Sequence, residues 1–411
     1  MNLVKYDYIK YLISASILLA AFVNFKNPAI GSLIVLFLEI CTIISILKTR
    51  LININVNIIN NKKKEILTVI IYIITISLST ALVLVENKSE DQLLFSLVRY
   101  IEILSHILTI FTLSIYFYNI KQKENLFLLI PISVVLASII CFLDYHLNSN
   151  SVMNNNGFKL IVSYNIRQIG YVVMLGCLFC IVKLIFLEKK LRGVFYGLLF
   201  IINCSMLFWL GGRGATLALI ASIILLISTL HKEFIAKCKI LFSTVILMIL
   251  SYIVSIPFSV FSWNGANRFY MWSQHIDEPL RKISNGRFEL WQESISLILQ
   301  KPLLGYGPEA HAFETKIGYL QPHNALLQSL LEFGIIGTIP FLIMIFYIVK
   351  NATINAAAEP TINNLFCFGL INAILIHSLY SGPLYHATSM ILVCIASAYI
   401  LSVTLKRKNQ N

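Results

Sequence analysis

Three short runs carry most of the candidate chemistry in an otherwise apolar chain: Gly211-Gly212-Arg213-Gly214, Asn285-Gly286-Arg287 and Pro322-His323-Asn324, with Gln328 one turn beyond the last. A guanidinium stays charged where water is scarce, and its planar fork grips phosphate oxygens in pairs. An imidazole with an ordinary pKa near 6.5 is largely neutral at neutral pH and can accept a proton. Arg213, Arg287 and His323 are therefore equipped to neutralise charge building on an anionic leaving group and to deprotonate an attacking hydroxyl. Each also has a plainer reading. Arg213 can be a cation snorkelling from a helix end, Arg287 a solvated helix residue, and His323 an interfacial polar residue at a helix start. Arg167, in Asn165-Ile166-Arg167 ahead of another apolar run, is either a third phosphate contact or an ordinary interfacial charge.

These residues must be positioned by membrane helices. A chain of 411 residues that is 58% hydrophobic, 12% charged and has a mean hydropathy of +0.80 is not a water-soluble globule. Apolar runs of about twenty residues cross about 30 Å of hydrocarbon. They fall at 11–25, 30–47, 66–85, 93–118, 126–143, 170–187, 194–210, 215–230, 240–260, 325–349, 365–380 and 386–405. The expected fold is all-α, a polytopic transmembrane helical protein with about twelve spans. Its longest polar stretch, 261–322, is read as one large external loop.

Basic residues in short loops are held on the cytoplasmic side. With the N-terminus inside, Lys48, Arg50, Lys62 to Lys64, Lys121, Lys123, Lys189, Lys190, Arg192, Lys232, Lys237, Lys239 and Lys406 to Lys408 all fall in the cytoplasm. The net charge of +13 is then a topology signal and not a nucleic-acid patch. The same alternation sends Arg167, Arg213, Arg287 and His323 to the outer face. Three regions are expected: N-terminal helices over 1–207, a catalytic region over 208–350 that includes the loop, and C-terminal helices over 351–411. Met1 to Phe25 reads as a first span and not as a cleaved signal peptide.

Within the loop, Asn285 reads as the N-cap of an amphipathic helix whose inward face is Phe288, Trp291, Ile295 and Ile298. Lys301-Pro302 ends it, and Gly305-Tyr306-Gly307-Pro308 is a turn that can bring backbone close to a ligand. Asn324 and Gln328 are candidate sugar-binding or orienting partners of His323, and Tyr306 a candidate sugar contact. The glycines around Arg213 leave room for a bulky anion. Arg99 and Glu102 share a helix face and pair with each other, and His106 reads as a hydrogen-bonded interior histidine. The eight cysteines read as buried small hydrophobes, including the Cys177-Leu178-Phe179-Cys180 pair.

The chain resembles the shared domain of bacterial O-antigen ligases and O-antigen polymerases. The resemblance rests on Gly286-Arg287-x-x-x-Trp291, Pro302-Leu303-Leu304-Gly305-Tyr306-Gly307, Gly212-Arg213-Gly214-Ala215 and Pro322-His323-Asn324 with Gln328, Glu332, Gly334 and Gly337. His323-Asn324, nine residues and Gly334-x-x-Gly337 is similar to the ligase-branch pattern. It implies a GT-C-like membrane glycosyltransferase in the bacterial inner membrane that moves a glycan from undecaprenyl diphosphate to a sugar hydroxyl of lipid A-core at the periplasmic face. It also implies inversion at the anomeric centre and no metal or other cofactor. No Asp-x-Asp or recognisable metal-ligand spacing stands in the outer loops, which agrees with arginine-only diphosphate binding. The expected partners are the lipid-linked glycan donor, the lipid A-core acceptor and membrane lipids, with no nucleic acid. A polymerase using a lipid-linked acceptor stays open, as does a relative that glycosylates protein. A transporter or flippase shares the span number, but charged residues are scarce at mid-membrane depth.

Overall fold

The computed structural model describes residues 3–22, 28–49, 63–86, 88–120, 126–147, 160–163, 165–186, 190–258, 286–316 and 321–410. The helices are α1 (Leu3–Leu19), α2 (Pro28–Lys48), α3 (Lys63–Val85), α4 (Glu90–Asn119), α5 (Leu129–Leu147), α6 (Ile166–Ile185), α7 (Lys190–Trp209), α8 (Arg213–Thr229), α9 (Phe234–Ser255), α10 (Arg287–Gln300), α11 (Ala310–Glu314), α12 (Ala325–Ala358), α13 (Ile362–Ser378) and α14 (Ala387–Gln410). Among the described residues there is no strand, only an isolated bridge between Leu160 and Ser163. This is an all-α polytopic membrane protein. Among the described residues nine helices are long and apolar enough to cross a bilayer, and three shorter apolar ones, Tyr8–Leu19 within α1, α8 and α13, occupy the remaining expected runs.

Helix α6 is the axis of the bundle, 89% buried along its apolar window, whereas α9 at 17% lies on the periphery. Lipid offers no hydrophobic drive for helices to associate, so close packing and interhelical hydrogen bonds must hold them. Gly369 of α13 lets Leu178 of α6 approach, for a Cβ there would meet Leu178 Cδ2 at 2.8 Å. Ser222 of α8 donates to the Gly369 carbonyl at 2.7 Å. Basic groups gather at one end of the bundle: Lys406 reaches the Phe117 and Ile120 carbonyls, and Lys232 reaches that of Ile185. The candidate chemistry collects at the other end.

At that end α12 is broken. Gly334 has φ 60 and ψ −167, which interrupts the helical ladder. The 302–307 segment fills the gap as a second backbone partner: Tyr306 and Gly307 donate to Leu331 and Glu332 carbonyls at 2.9 Å each, while Ile335 and Ile336 donate to Pro302 and Leu303 at 2.8 and 3.2 Å. Ser79 of α3 clamps both sides, bonding Leu304 O at 2.8 Å and Glu332 O at 2.6 Å. A Cβ on Gly334 would lie 2.2 Å from Leu303 O, and one on Gly305 2.5 Å from Leu331 O, so only glycine admits this backbone contact. The close approach expected of the Gly305-Tyr306-Gly307 turn is thus to the protein's own backbone.

Helix α10 forms where its amphipathic pattern predicts, but with a different packed face. Leu290 and Ser294 are buried and Leu297 and Ile298 pack against Tyr306, Ala310 and Leu331, while Phe288 and Ile295 are 46% and 47% exposed. The residue before the helix is Gly286 at φ 77, with no side-chain cap, and Asn285 lies outside the described residues. The expected capping by Asn285 is therefore replaced by a glycine in the left-handed region.

Candidate functional site

Four sequence-distant segments bring Arg167, Arg213, Arg287 and His323 together. Asn165 caps α6, its side chain accepting from the Arg167 amide at 2.9 Å, and so fixes Arg167 in the first turn. Arg213 opens α8 after a turn at Gly211, whose φ is 60. Arg287 opens α10. Arg167 Nη1 donates to His323 Nε2 at 3.3 Å, which requires a neutral ring with its proton on Nδ1. That Nδ1 is buried and has no hydrogen-bond partner among the described residues.

His323 sits just ahead of α12 with φ 56, a left-handed conformation that costs a non-glycine residue roughly 1–3 kcal/mol. The surroundings hold it there. Trp291 Nε1 of α10 donates to the Pro322 carbonyl at 2.9 Å, and Asn324 caps α12 by accepting from the Leu326 and Leu327 amides at 3.0 and 3.1 Å. Asn324 Nδ2 also donates to Leu379 O at 3.0 Å, tying the histidine's loop to the end of α13.

The electrostatics follow from this crowding. Burial, then the Arg167 and Arg287 guanidinium groups, then His386 and His311, push His323 down to about 3. Burial, with Arg167 and Arg213 adding like charge, brings Arg287 down to about 10, so it stays charged at neutral pH. Arg213 is itself within electrostatic reach of Arg167. No acidic side chain pairs with any of the three arginines among the described residues. Positive charge that no acid among the described residues offsets, beside a neutral imidazole, is an arrangement suited to an anion.

Other side chains singled out in the sequence turn out to have structural partners. Gln328 is buried and donates to Glu332 Oε1 at 3.0 Å. Tyr306 is buried, its ring under Lys301 Nζ at 4.6 Å and its hydroxyl 3.4 Å from Gln300. Asn324 spends both ends of its amide on the cap and on Leu379. The space beside Gly214 is filled by aromatic rings and is not open to an anion: a Cβ would stand 2.8 Å from Tyr380 Cε2 and 3.1 Å from His377 Nε2. Tyr380 returns a hydrogen bond to the Gly214 carbonyl at 2.9 Å.

Two groups of neighbours escape sequence reading. The α13–α14 connection supplies Tyr380, Ser381 and His386; Tyr171 of α6 bonds Ser381 at 2.9 Å and stacks on His386, which is held between Gln168 and Gln321. The Gly382-Pro383 turn was the local signal for this corner. The second group extends the expected Arg99–Glu102 pair, which forms at 3.0 Å. Arg99 also bonds Tyr385 O at 2.9 Å and lies 3.9 Å from Glu309 Oε1, Tyr385 OH donates to Glu309, and the Glu309 amide donates to Glu332 Oε1 at 3.2 Å. Burial and Glu332 raise Glu309 above the ordinary carboxylate range against the pull of Arg99.

Residues 198–342 match the family described as O-antigen ligase, which covers Arg213, Arg287, His323 and the Gly334 break, about a third of the chain. The chain is 30% identical over 106 residues to a Rickettsia conorii protein whose name proposes a polysaccharide ligase, a stretch covering 21% of this chain and 26% of that protein. It is 26% identical over 186 residues to an uncharacterized protein of Haemophilus influenzae, covering 40% of this chain and 46% of that one. The chain thus spans less than half the length of the curated relatives it matches. The family match supports polysaccharide chemistry of the ligase or polymerase type.

Proposed function

We propose that the chain is a metal-independent inverting glycosyltransferase of the O-antigen ligase type, moving a glycan from undecaprenyl diphosphate to a sugar hydroxyl of lipid A-core at the periplasmic face of a bacterial inner membrane. The observation that carries this reading is a cluster of three arginines, without acidic partners among the described residues, of which Arg167 and Arg287 act on the neutral His323 and Arg213 adjoins the other two.

The diphosphate lies among Arg167, Arg213 and Arg287. Its charge offsets the like-charge crowding that the guanidinium groups otherwise suffer, and it draws Arg167 from His323 Nε2. With its nearest cationic neighbours neutralised, the imidazole regains basicity when the donor is bound. His323 then takes the proton of the acceptor hydroxyl as that oxygen attacks the anomeric carbon, the bond to the diphosphate breaks, and the guanidinium groups hold the departing charge. Direct displacement inverts the anomeric centre. Trp291 and Asn324 keep His323 in register, and Gln328 acts through Glu332.

Deleting the gene tests the assignment: a ligase defect leaves long polymer on the lipid carrier and core without O-antigen. Core bearing a single repeat unit would instead assign the polymerase reaction, and an unchanged glycan pattern would overturn both. In purified protein supplied with undecaprenyl-diphosphate glycan and core acceptor, full turnover by His323→Ala would remove the imidazole from proton transfer.

A further inference from the structure

A second constellation lies within the membrane helices and takes no part in the proposed transfer. Glu39 of α2 has no exposed surface. An ionised carboxylate at such depth is costly unless something pairs with it. Its Oε2 accepts from Ser105 at 2.6 Å and its Oε1 lies 2.7 Å from His106 Nδ1, both on α4. His106 is 5% exposed, and its Nε2 is buried without a hydrogen-bond partner among the described residues. Cys394 of α14, also without exposed surface, completes the group: a ring nitrogen, a carboxylate oxygen and the thiol sulfur all lie within 4.8 Å of one another. His106 stands two turns along α4 from Arg99, and lines an apolar cavity of about 1220 Å³ between α3, α4, α12, α13 and α14.

We infer that Glu39, His106 and Cys394 form a binding site for one divalent, borderline-soft cation, zinc foremost. Nitrogen, oxygen and sulfur donors in one small cluster suit that class, with a fourth position left for water or Ser105. Charge balance favours it too. On binding, the Cys394 thiol releases its proton to bulk water, and thiolate, carboxylate and a neutral imidazole bring the assembly to zero net charge around the ion. The ion would staple α2, α4 and α14 together. This inference is independent of the transferase reading.

The test uses full-length, tag-free protein in detergent, stripped with a chelator and then dialysed against Zn²⁺ or Co²⁺. About one metal per chain by mass spectrometry, a cobalt–thiolate charge-transfer band, and a melting temperature raised by a few degrees with Zn²⁺ are expected. Cys394→Ala should lose the band and at least tenfold in affinity, as should His106→Ala. Folded wild type that takes up no metal would overturn the inference. So would uptake by Cys394→Ala, which removes only a small side chain, equal to that of wild type.

Discussion

Two arginine-centred regions near the same end of the bundle differ in one respect, and that difference separates chemistry from architecture. Arg99 is buried among Glu102, Glu309 and Tyr385, and Glu332 adds a further carboxylate. Arg167 and Arg287 crowd around His323, with Arg213 beside them, and no acid pairs with the three among the described residues. A buried cation that is paired and hydrogen-bonded has its charge offset where it stands, whereas three that repel one another are best offset by a ligand that supplies the missing charge. The paired cluster anchors the 302–314 segment; the other, unpaired among the described residues, is the one the proposed donor diphosphate would occupy.

The contrast is broken most severely by removing the paired arginine. Arg99→Ala leaves three carboxylates around an empty space, and losing one partner of a buried pair costs about 3–5 kcal/mol. We expect little folded protein, read as a collapsed monodisperse peak on size exclusion. Arg213→Ala and Arg287→Ala should leave that peak intact and lower turnover about 10²- to 10³-fold, the usual cost of losing one charge-stabilising donor. Equal damage to folding at both regions would erase the distinction. Gly334→Ala sets a Cβ against Leu303 O and forces a left-handed alanine; we expect a lower melting temperature together with lost activity, since His323 rides on the same helix start. Trp291→Phe keeps the ring and deletes one hydrogen bond to Pro322 O, a loss of about 0.5–1.5 kcal/mol, so turnover should fall modestly with an unchanged KM for the donor.

The pH profile sharpens the comparison with the smallest intervention. In the free enzyme His323 titrates near 3, so the acid limb of kcat/KM should lie far below neutrality and the profile stay flat from about pH 5 to 7. The donor's negative charge raises the imidazole pKa, so the limb of kcat should sit at higher pH. Coincident limbs near 6.5 would show that the arginines do not act on His323. The stability sign is opposite to that of a paired histidine. The folded state resists protonation, the unfolded chain accepts it below about 6.5, and this residue's contribution is lost as pH falls from there towards 3.

Much of the architecture was legible because its signals are local. Apolar runs located the nine helices long enough to cross a bilayer and the three shorter apolar ones among the described residues, and an i, i+3 pair such as Arg99–Glu102 is visible on one helix. The three principal site candidates were singled out by residue type and motif, and Arg167 by its place before a span; the structure sets Arg167 against His323. What escaped reading depends on segments far apart in the chain. No local pattern announces that Tyr385 and Glu309 meet Arg99, that Asn324 spends its amide on a cap and on Leu379, or that Cys394 faces Glu39 and His106. The face of α10 was misread in part because an aromatic stripe signals burial without saying in what; Ile298 packs as expected, but Phe288 and Ile295 keep surface while Leu290 and Ser294 fit against the protein.

The interrupted helix bears on the order of assembly. Ile335 and Ile336 have amides, and Leu331 and Glu332 have carbonyls, whose partners lie in a segment synthesised some thirty residues earlier. Hydrocarbon does not tolerate such groups unsatisfied. The loop must therefore come home as α12 settles, and the same docking fixes the helix whose start carries the imidazole. A nascent chain caught before that step would be membrane-inserted and inert.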